Sequence, residues 1–147
     1  MKVPIFLLPA SDGKMYSEKD FQSGKFVLYL YPKDMTSGCT IEARDFRDFK
    51  KNLVERGVQI FGLSKDALAS HDKFCKKESL NFPLLSDEKG LLIEKLGSWI
   101  QKSMYGKSYM GIDRSTFVIA NGEIVKEWRK VSVPGHAEDV LNFCKTL

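Results

Sequence analysis

Phe26-Val27-Leu28-Tyr29-Leu30-Tyr31 is an unbroken apolar run and reads as a buried strand, ended by a turn-rich connection from Pro32 to Gly38. Val58-Gln59-Ile60-Phe61-Gly62-Leu63 reads as a second core strand. Between them the period changes. Over Thr40 to Arg56, Phe46, Phe49 and Leu53 share one helical face, Glu42, Arg44, Asp45, Arg47, Asp48 and Lys50 populate the others, and Gly57 supplies the stop. Ser64 and Asp66 begin the turn into another helix running through about Ser79. Pro83-Leu84-Leu85-Ser86-Asp87 leads into a short helix ending near Gly97. Asp12-Gly13 joins Phe6-Leu7-Leu8 to Lys14-Met15-Tyr16 in an N-terminal hairpin, and Asn121-Gly122 joins Thr116–Ala120 to Glu123–Trp128 in a second one. A last helix, Ala137 to about Lys145, carries Val140, Leu141 and Cys144 on its inner face. Alternating β and α elements that close with an antiparallel hairpin argue for an α/β fold, a mixed central sheet flanked by helices.

Length and composition narrow the class. No linker, repeat or low-complexity tract divides the 147 residues, so residues 1–147 are expected to form one domain. A chain of this size buries roughly 68–70% of its unfolded surface, enough for a core without disulfide staples. Three cysteines at wide spacings suit an intracellular chain better than a secreted disulfide framework. The apolar stretch in Met1 to Ala10 is interrupted by two prolines and is too short for a signal peptide or a membrane span, which makes the cytoplasm the expected location. The net charge of +4 comes from intermixed signs, and the lysine pairs at 50–51 and 76–77 lack interleaved aromatics. They read as solvated helix faces rather than a nucleic-acid surface.

The candidate chemistry lies between the first strand and the first helix. Cys39 falls at the N-terminus of that helix, where unpaired N–H groups and the positive end of the dipole favour thiolate over thiol. Thr36, three residues upstream, can hold an incoming group by hydrogen bond.

The string Tyr31-Pro32-Lys33-Asp34-Met35-Thr36-Ser37-Gly38-Cys39-Thr40-Ile41-Glu42-Ala43 resembles the peroxidatic loop of the peroxiredoxins, Pro-x-x-x-Thr-x-x-Cys, and is most similar to the peroxiredoxin Q (bacterioferritin comigratory protein) branch. Ser70–Phe74, Phe82–Asp87, Gly111–Ile119 and Gly135–Ala137 agree with the same branch in order and spacing. The resemblance implies a thioredoxin-like fold and a thiol peroxidase with no cofactor or metal. Its substrates would be hydrogen peroxide or an organic hydroperoxide, and its reductant thioredoxin or a similar dithiol protein; by family analogy the chain is a monomer, without nucleic-acid or membrane partners.

A peroxidase without a metal needs a thiolate, donors aimed at the leaving oxygen, and a permanent cation. Cys39 supplies the first, the Thr36 hydroxyl and the Cys39 amide the second. Arg114 is the candidate for the third, since a guanidinium stays charged and presents a fork of donors; its neighbours Ser115-Thr116-Phe117 carry the assignment by resemblance. Pro32, lacking an N–H, would shield the thiolate. Many members of the branch carry a resolving cysteine five residues after the peroxidatic one, but Arg44 stands there. A second subgroup places it in the following helix, which implies Cys75. Closing that disulfide would require the first helix to unwind at Cys39. If Cys75 only packs, the enzyme is a one-cysteine peroxidase with an external thiol. Two further alternatives stay open: a thiol–disulfide oxidoreductase, which would want a cysteine at Thr36, and a non-catalytic redox sensor.

Cys144 reads as core packing. His71 and Cys75 at i and i+4 share a face, yet no second ligand pair exists, so a zinc site is not expected. His136 reads as a helix-start residue rather than a base. Ser37 replaces the family's common proline, which implies a more flexible loop, and Ile5 replaces the usual aspartate between proline and phenylalanine.

Overall fold

A computed structural model describes all residues 1–147. In chain order the elements are β1 (Leu7–Pro9), β2 (Met15–Ser17), a 3-10 turn (Glu18–Phe21), β3 (Lys25–Leu30), α1 (Ser37–Glu55), β4 (Val58–Ser64), α2 (Leu68–Glu78), β5 (Leu84–Ser86), α3 (Leu91–Lys95), β6 (Trp99–Met104), β7 (Lys107–Ile112), β8 (Ser115–Ala120), β9 (Glu123–Trp128) and α4 (His136–Cys144). The central sheet is five-stranded in the order β5-β4-β3-β8-β9. β3, β4 and β5 run parallel, while β8 and β9 are antiparallel to their neighbours, so the expected mixed sheet is present.

Side chains alternate across a strand, and β3 uses both faces for core. Val27, Tyr29 and Tyr31 point to the layer of α1, α2 and α4, with Phe46, Leu53, Phe74 and Val140. Phe26, Leu28 and Leu30 point to the opposite layer, with Phe6, Phe21, Phe61, Ile93 and Phe117. This explains why β3 is a continuous apolar run. Gly62 in β4 has a steric reason: a Cβ there would lie 2.6 Å from Leu84 Cδ2 and 3.2 Å from the Tyr29 ring.

The structure departs from the sequence reading at three places. Leu84–Ser86, expected to lead into a helix, is instead the edge strand β5, because Leu84 and Leu85 are buried on opposite layers and pair with β4. Asp87 then opens the short helix, its carboxylate accepting from the amides of Leu91 and Ile93. Second, β6 and β7 form a hairpin absent from the periodicity reading; its turn residues Tyr105 and Gly106 both take positive φ, 53° and 78°, as a tight two-residue turn demands. Third, α1 begins at Ser37 rather than Thr40, which makes Cys39 the third helical residue. No helix is long and apolar enough to cross a membrane.

Candidate active site

β3 and β8 pair with Leu30 opposite Ser115, so the residues just beyond these positions, Tyr31 and Arg114, meet at one end of the sheet. The loop from Pro32 to Thr36 leaves β3 there and delivers Cys39 in the first turn of α1. Arg114 is held from behind: its carbonyl accepts from the Val131 amide at 3.0 Å, and the neighbouring Asp113 amide donates to the Ser98 carbonyl at 2.7 Å. Nη2 of Arg114 then donates to Cys39 Sγ at 3.3 Å, while Nη1 donates to Glu42 Oε1 at 2.7 Å. A Cβ at Gly38 would lie 3.4 Å from the same Nη2, so the guanidinium lies over the first turn of α1. Cys39 is 1% exposed. The amides of Ser37, Gly38 and Cys39 make no protein hydrogen bond, and Thr36 at the N-cap does not cap them. These unspent amides and the Arg114 guanidinium both lie at the start of α1, with Cys39.

Thr36 differs from expectation in one respect. Its hydroxyl proton goes to the Lys33 carbonyl at 2.8 Å, so the oxygen can accept from an incoming hydroperoxide but its proton is already committed. Met35 beside it takes φ 63°, a left-handed conformation uncommon for a side chain of that size, and the turn is therefore strained. Pro32 is half-buried at the start of the loop.

Glu42 is the residue that the sequence reading misplaced. Its position on α1 reads as polar surface, yet it is 1% exposed. Burial pushes its carboxyl up to about 7, against the pull of Arg114. Reciprocally, Glu42 and Cys39 keep the Arg114 guanidinium charged despite its own burial. Oε2 of Glu42 and the Tyr29 hydroxyl are buried without a partner, and burial raises the tyrosine well above its ordinary value. Its spacing could have drawn attention to Glu42 in the sequence, since it stands three residues after Cys39 and four before Phe46 on one helical face.

Cys75 is half-buried in α2, and its thiol lies 3.6 Å from the Ser11 hydroxyl. Burial raises its pKa, Ser11 opposes this, and Asp34 and Asp72 add to it. All three cysteines are free thiols. Cys144 is buried in the core as expected, with its pKa raised by burial to about 11. His136 opens α4 and shares a 2.7 Å hydrogen bond with Thr116 Oγ1; burial lowers it to about 4, so it is neutral.

Asp34, in the loop, collects a second polar group, drawn from elements that are far apart along the chain. Its carboxylate accepts from the Tyr31 hydroxyl at 2.6 Å, the Ser70 hydroxyl at 2.8 Å and His71 Nδ1 at 2.7 Å, and its amide donates to Asp66 at 2.9 Å. Ligand-type atoms of Asp34, Asp66 and His71 lie within 4.8 Å of one another. Each of the three already has protein hydrogen-bond partners, so the grouping reads as a hydrogen-bond network.

Comparison with known proteins agrees with this geometry. Residues 1–128 match the AhpC/TSA family. Peroxiredoxin Bcp of Bacillus subtilis is 43% identical over 147 residues, covering 99% of this chain and 94% of the relative. Peroxiredoxin Q of Xanthomonas campestris superposes with a TM-score of 0.91 at 40% identity, covering 96% of this chain and 90% of that one. A structure of the bacterioferritin comigratory protein of the same organism, concerned with its alkyl peroxide reduction activity, gives a TM-score of 0.91 at 39% identity with the same coverage, 96% and 90%.

Proposed function

The chain belongs to the AhpC/TSA family and is a peroxiredoxin, a thiol-dependent peroxidase, and on that premise we propose that Cys39 is its peroxidatic residue and Cys75 its resolving one. The observation that carries the first assignment is the 3.3 Å contact from Arg114 Nη2 to a sulfur buried in the first turn of α1. A thiolate there attacks the terminal oxygen of hydrogen peroxide or an alkyl hydroperoxide. The S–O bond forms as the O–O bond breaks, and the leaving hydroxide or alkoxide takes a proton to depart as water or alcohol. The free amides of α1 and the Arg114 fork stabilise the charge that builds on the leaving oxygen. Thr36 receives the proton of the bound hydroperoxide as a hydrogen bond. Pro32 shields the sulfur from water, contributing no N–H that would call water in.

The product is a sulfenic acid on Cys39. Cys75 condenses with it, forming a disulfide and releasing water, and a dithiol protein of the thioredoxin type reduces that disulfide. We place this cycle in a monomer of one domain over residues 1–147, in the cytoplasm, where unbridged thiols stay reduced.

The test is mass spectrometry after one equivalent of peroxide. An intramolecular peptide cross-link between Cys39 and Cys75 is expected. Cys75→Ser should still undergo its first oxidation, then stall as the sulfenic acid, lose thioredoxin-supported turnover and pass to the sulfinic acid more readily. Full thioredoxin-linked turnover by Cys75→Ser would replace the two-cysteine cycle with a one-cysteine cycle served by an external thiol.

A further inference from the structure

The network on Asp34 joins two segments that the reaction has to separate. Asp34 lies in the loop that delivers Cys39. Ser70 and His71 lie in the first turn of α2, and Cys75 follows His71 by one turn on the same helix. The two thiols are turned to different partners, Cys39 to Arg114 and Cys75 to Ser11. A disulfide needs Cα atoms within roughly 7 Å and matching Cβ directions, so the start of α1 and α2 must open before sulfur meets sulfur. That opening pulls on Asp34.

The protonation of the network follows from its partners. His71 Nε2 lies 2.9 Å from the Leu85 carbonyl, which has no proton to give, so Nε2 carries one. Nδ1 faces a carboxylate that already receives hydroxyl protons from Tyr31 and Ser70, so Nδ1 carries one too. His71 is therefore an imidazolium, 0% exposed, paired with a carboxylate that is equally enclosed. The charged and titratable groups facing it are Asp34 from the loop, Asp66 from the turn after β4 and the Tyr31 hydroxyl from the end of β3; β5 contributes the Leu85 carbonyl.

We propose that the His71–Asp34 ion pair is a clasp holding the peroxidatic loop to the resolving helix, and that its release is the step that admits Cys75 to the oxidised Cys39. His71 and Asp34 are then positioning residues for disulfide formation. The resolving part rests on the reading of Cys75 given above; the clasp itself does not. The strained turn at Met35, next to Asp34, gives the loop a tendency to relax once the clasp lets go.

The clasp is also sensitive to pH. Burial works against the imidazolium, but the hydrogen bond and charge of Asp34, with Leu85 and Asp66, outweigh it and raise the His71 pKa above its ordinary 6.5. The stabilisation is complete below the ordinary value and is lost as pH rises through the raised one. Alkaline conditions open the clasp.

Hydrogen exchange of the reduced full-length protein, expressed as protection relative to the unstructured rate, reads the clasp directly. In the wild type, protection of residues 33–41 and 68–78 should be highest below pH 6.5 and fall together as pH is raised above it. Ser70→Ala removes one hydroxyl from Asp34 and should lower both segments about five-fold below pH 6.5, where the clasp is closed, and by less as the clasp opens. His71→Gln should leave both low and independent of pH; if that variant does not fold, the wild-type pH series and Ser70→Ala decide alone. Unchanged protection, or a change in one segment only, overturns the clasp. After one equivalent of peroxide, Ser70→Ala should form the Cys39–Cys75 disulfide faster by the factor by which it loses protection. Lower protection with an unchanged disulfide rate overturns the admission step. Absence of any such disulfide in the wild type refutes the Cys75 reading instead, and exchange still decides whether the clasp exists.

Discussion

Cys39 occupies the first turn of α1 and Cys75 the last turn of α2, two helices that pack on the same face of the sheet. Their surroundings are opposite in sign. Cys39 faces the positive end of a helix dipole, free amides and a guanidinium. Cys75 lies toward the negative end of its own helix, near Asp34 and Asp72, with only the Ser11 hydroxyl opposing the rise in its pKa. Cys75 is nevertheless the more exposed of the two. Exposure alone would therefore favour Cys75, whereas the electrostatic surroundings favour Cys39, the nucleophile proposed above. On the proposed assignment the arrangement divides the labour: donors gather at Cys39, while burial and the nearby carboxylates favour the protonated thiol at Cys75.

Exchanging the reactive sulfur for oxygen breaks the comparison most completely. Cys39→Ser should abolish peroxide consumption, measured as loss of peroxide in the presence of excess reductant, whereas Cys144→Ser should stay near wild type because its thiol only packs. Substantial turnover by Cys39→Ser would move the chemistry elsewhere.

The next largest effect should come from removing the cation that distinguishes the two sites. Arg114→Ala should slow the first oxidation by about 10²- to 10³-fold, the usual loss when a donor to a developing anion is deleted. Arg114→Lys should recover part of this, since an ammonium restores charge but cannot reach both Cys39 and Glu42 as a fork. Rapid-mixing kinetics with one equivalent of peroxide measures both variants; an unchanged rate in Arg114→Ala would take the residue out of the site.

Much of the site is legible along the chain. The β3 run, the turn at Pro32 and the polar start of α1 predict a cysteine at a helix N-terminus, and β3 pairing with β8 explains why an arginine 75 positions later meets it. Local pattern could not reveal the groups whose role depends on what packs over them. Glu42 stands four residues before Phe46, on the face of α1 that packs inward, and only its charge makes it read as surface until Tyr29 and Arg114 are known to lie against it. Asp34 and His71 belong to separate elements, and nothing in either segment states that they touch. The same limit applies to β5, where Leu84 and Leu85 are short enough to read as helix or strand until the neighbouring β4 is known.

Glu42 also supplies the smallest and most specific test of the contrast between the two thiols, because it tunes the cation that only Cys39 possesses. Its carboxyl, raised from 4.5 to about 7, keeps a proton in the folded chain that the unfolded chain has released. The stability carried by that proton is therefore complete below 4.5 and lost as pH rises through about 7. Above that value the carboxylate is ionised and holds Arg114 by charge as well as by hydrogen bond. Glu42→Gln keeps a carbonyl that can accept from Nη1 but removes the titration. Its first-oxidation rate at about pH 8 should fall only about ten-fold, equivalent to about 1.4 kcal/mol of lost positioning. The inflection that Glu42 contributes near 7 should disappear from its pH–rate profile, and denaturant midpoints should lose the corresponding decline between 4.5 and about 7. Both readouts are needed, since loss of packing alone would lower the midpoints at every pH and leave the inflection in place. A Glu42→Gln profile that retains the wild-type inflection would assign that titration to another group and leave Arg114 governed by Cys39 alone.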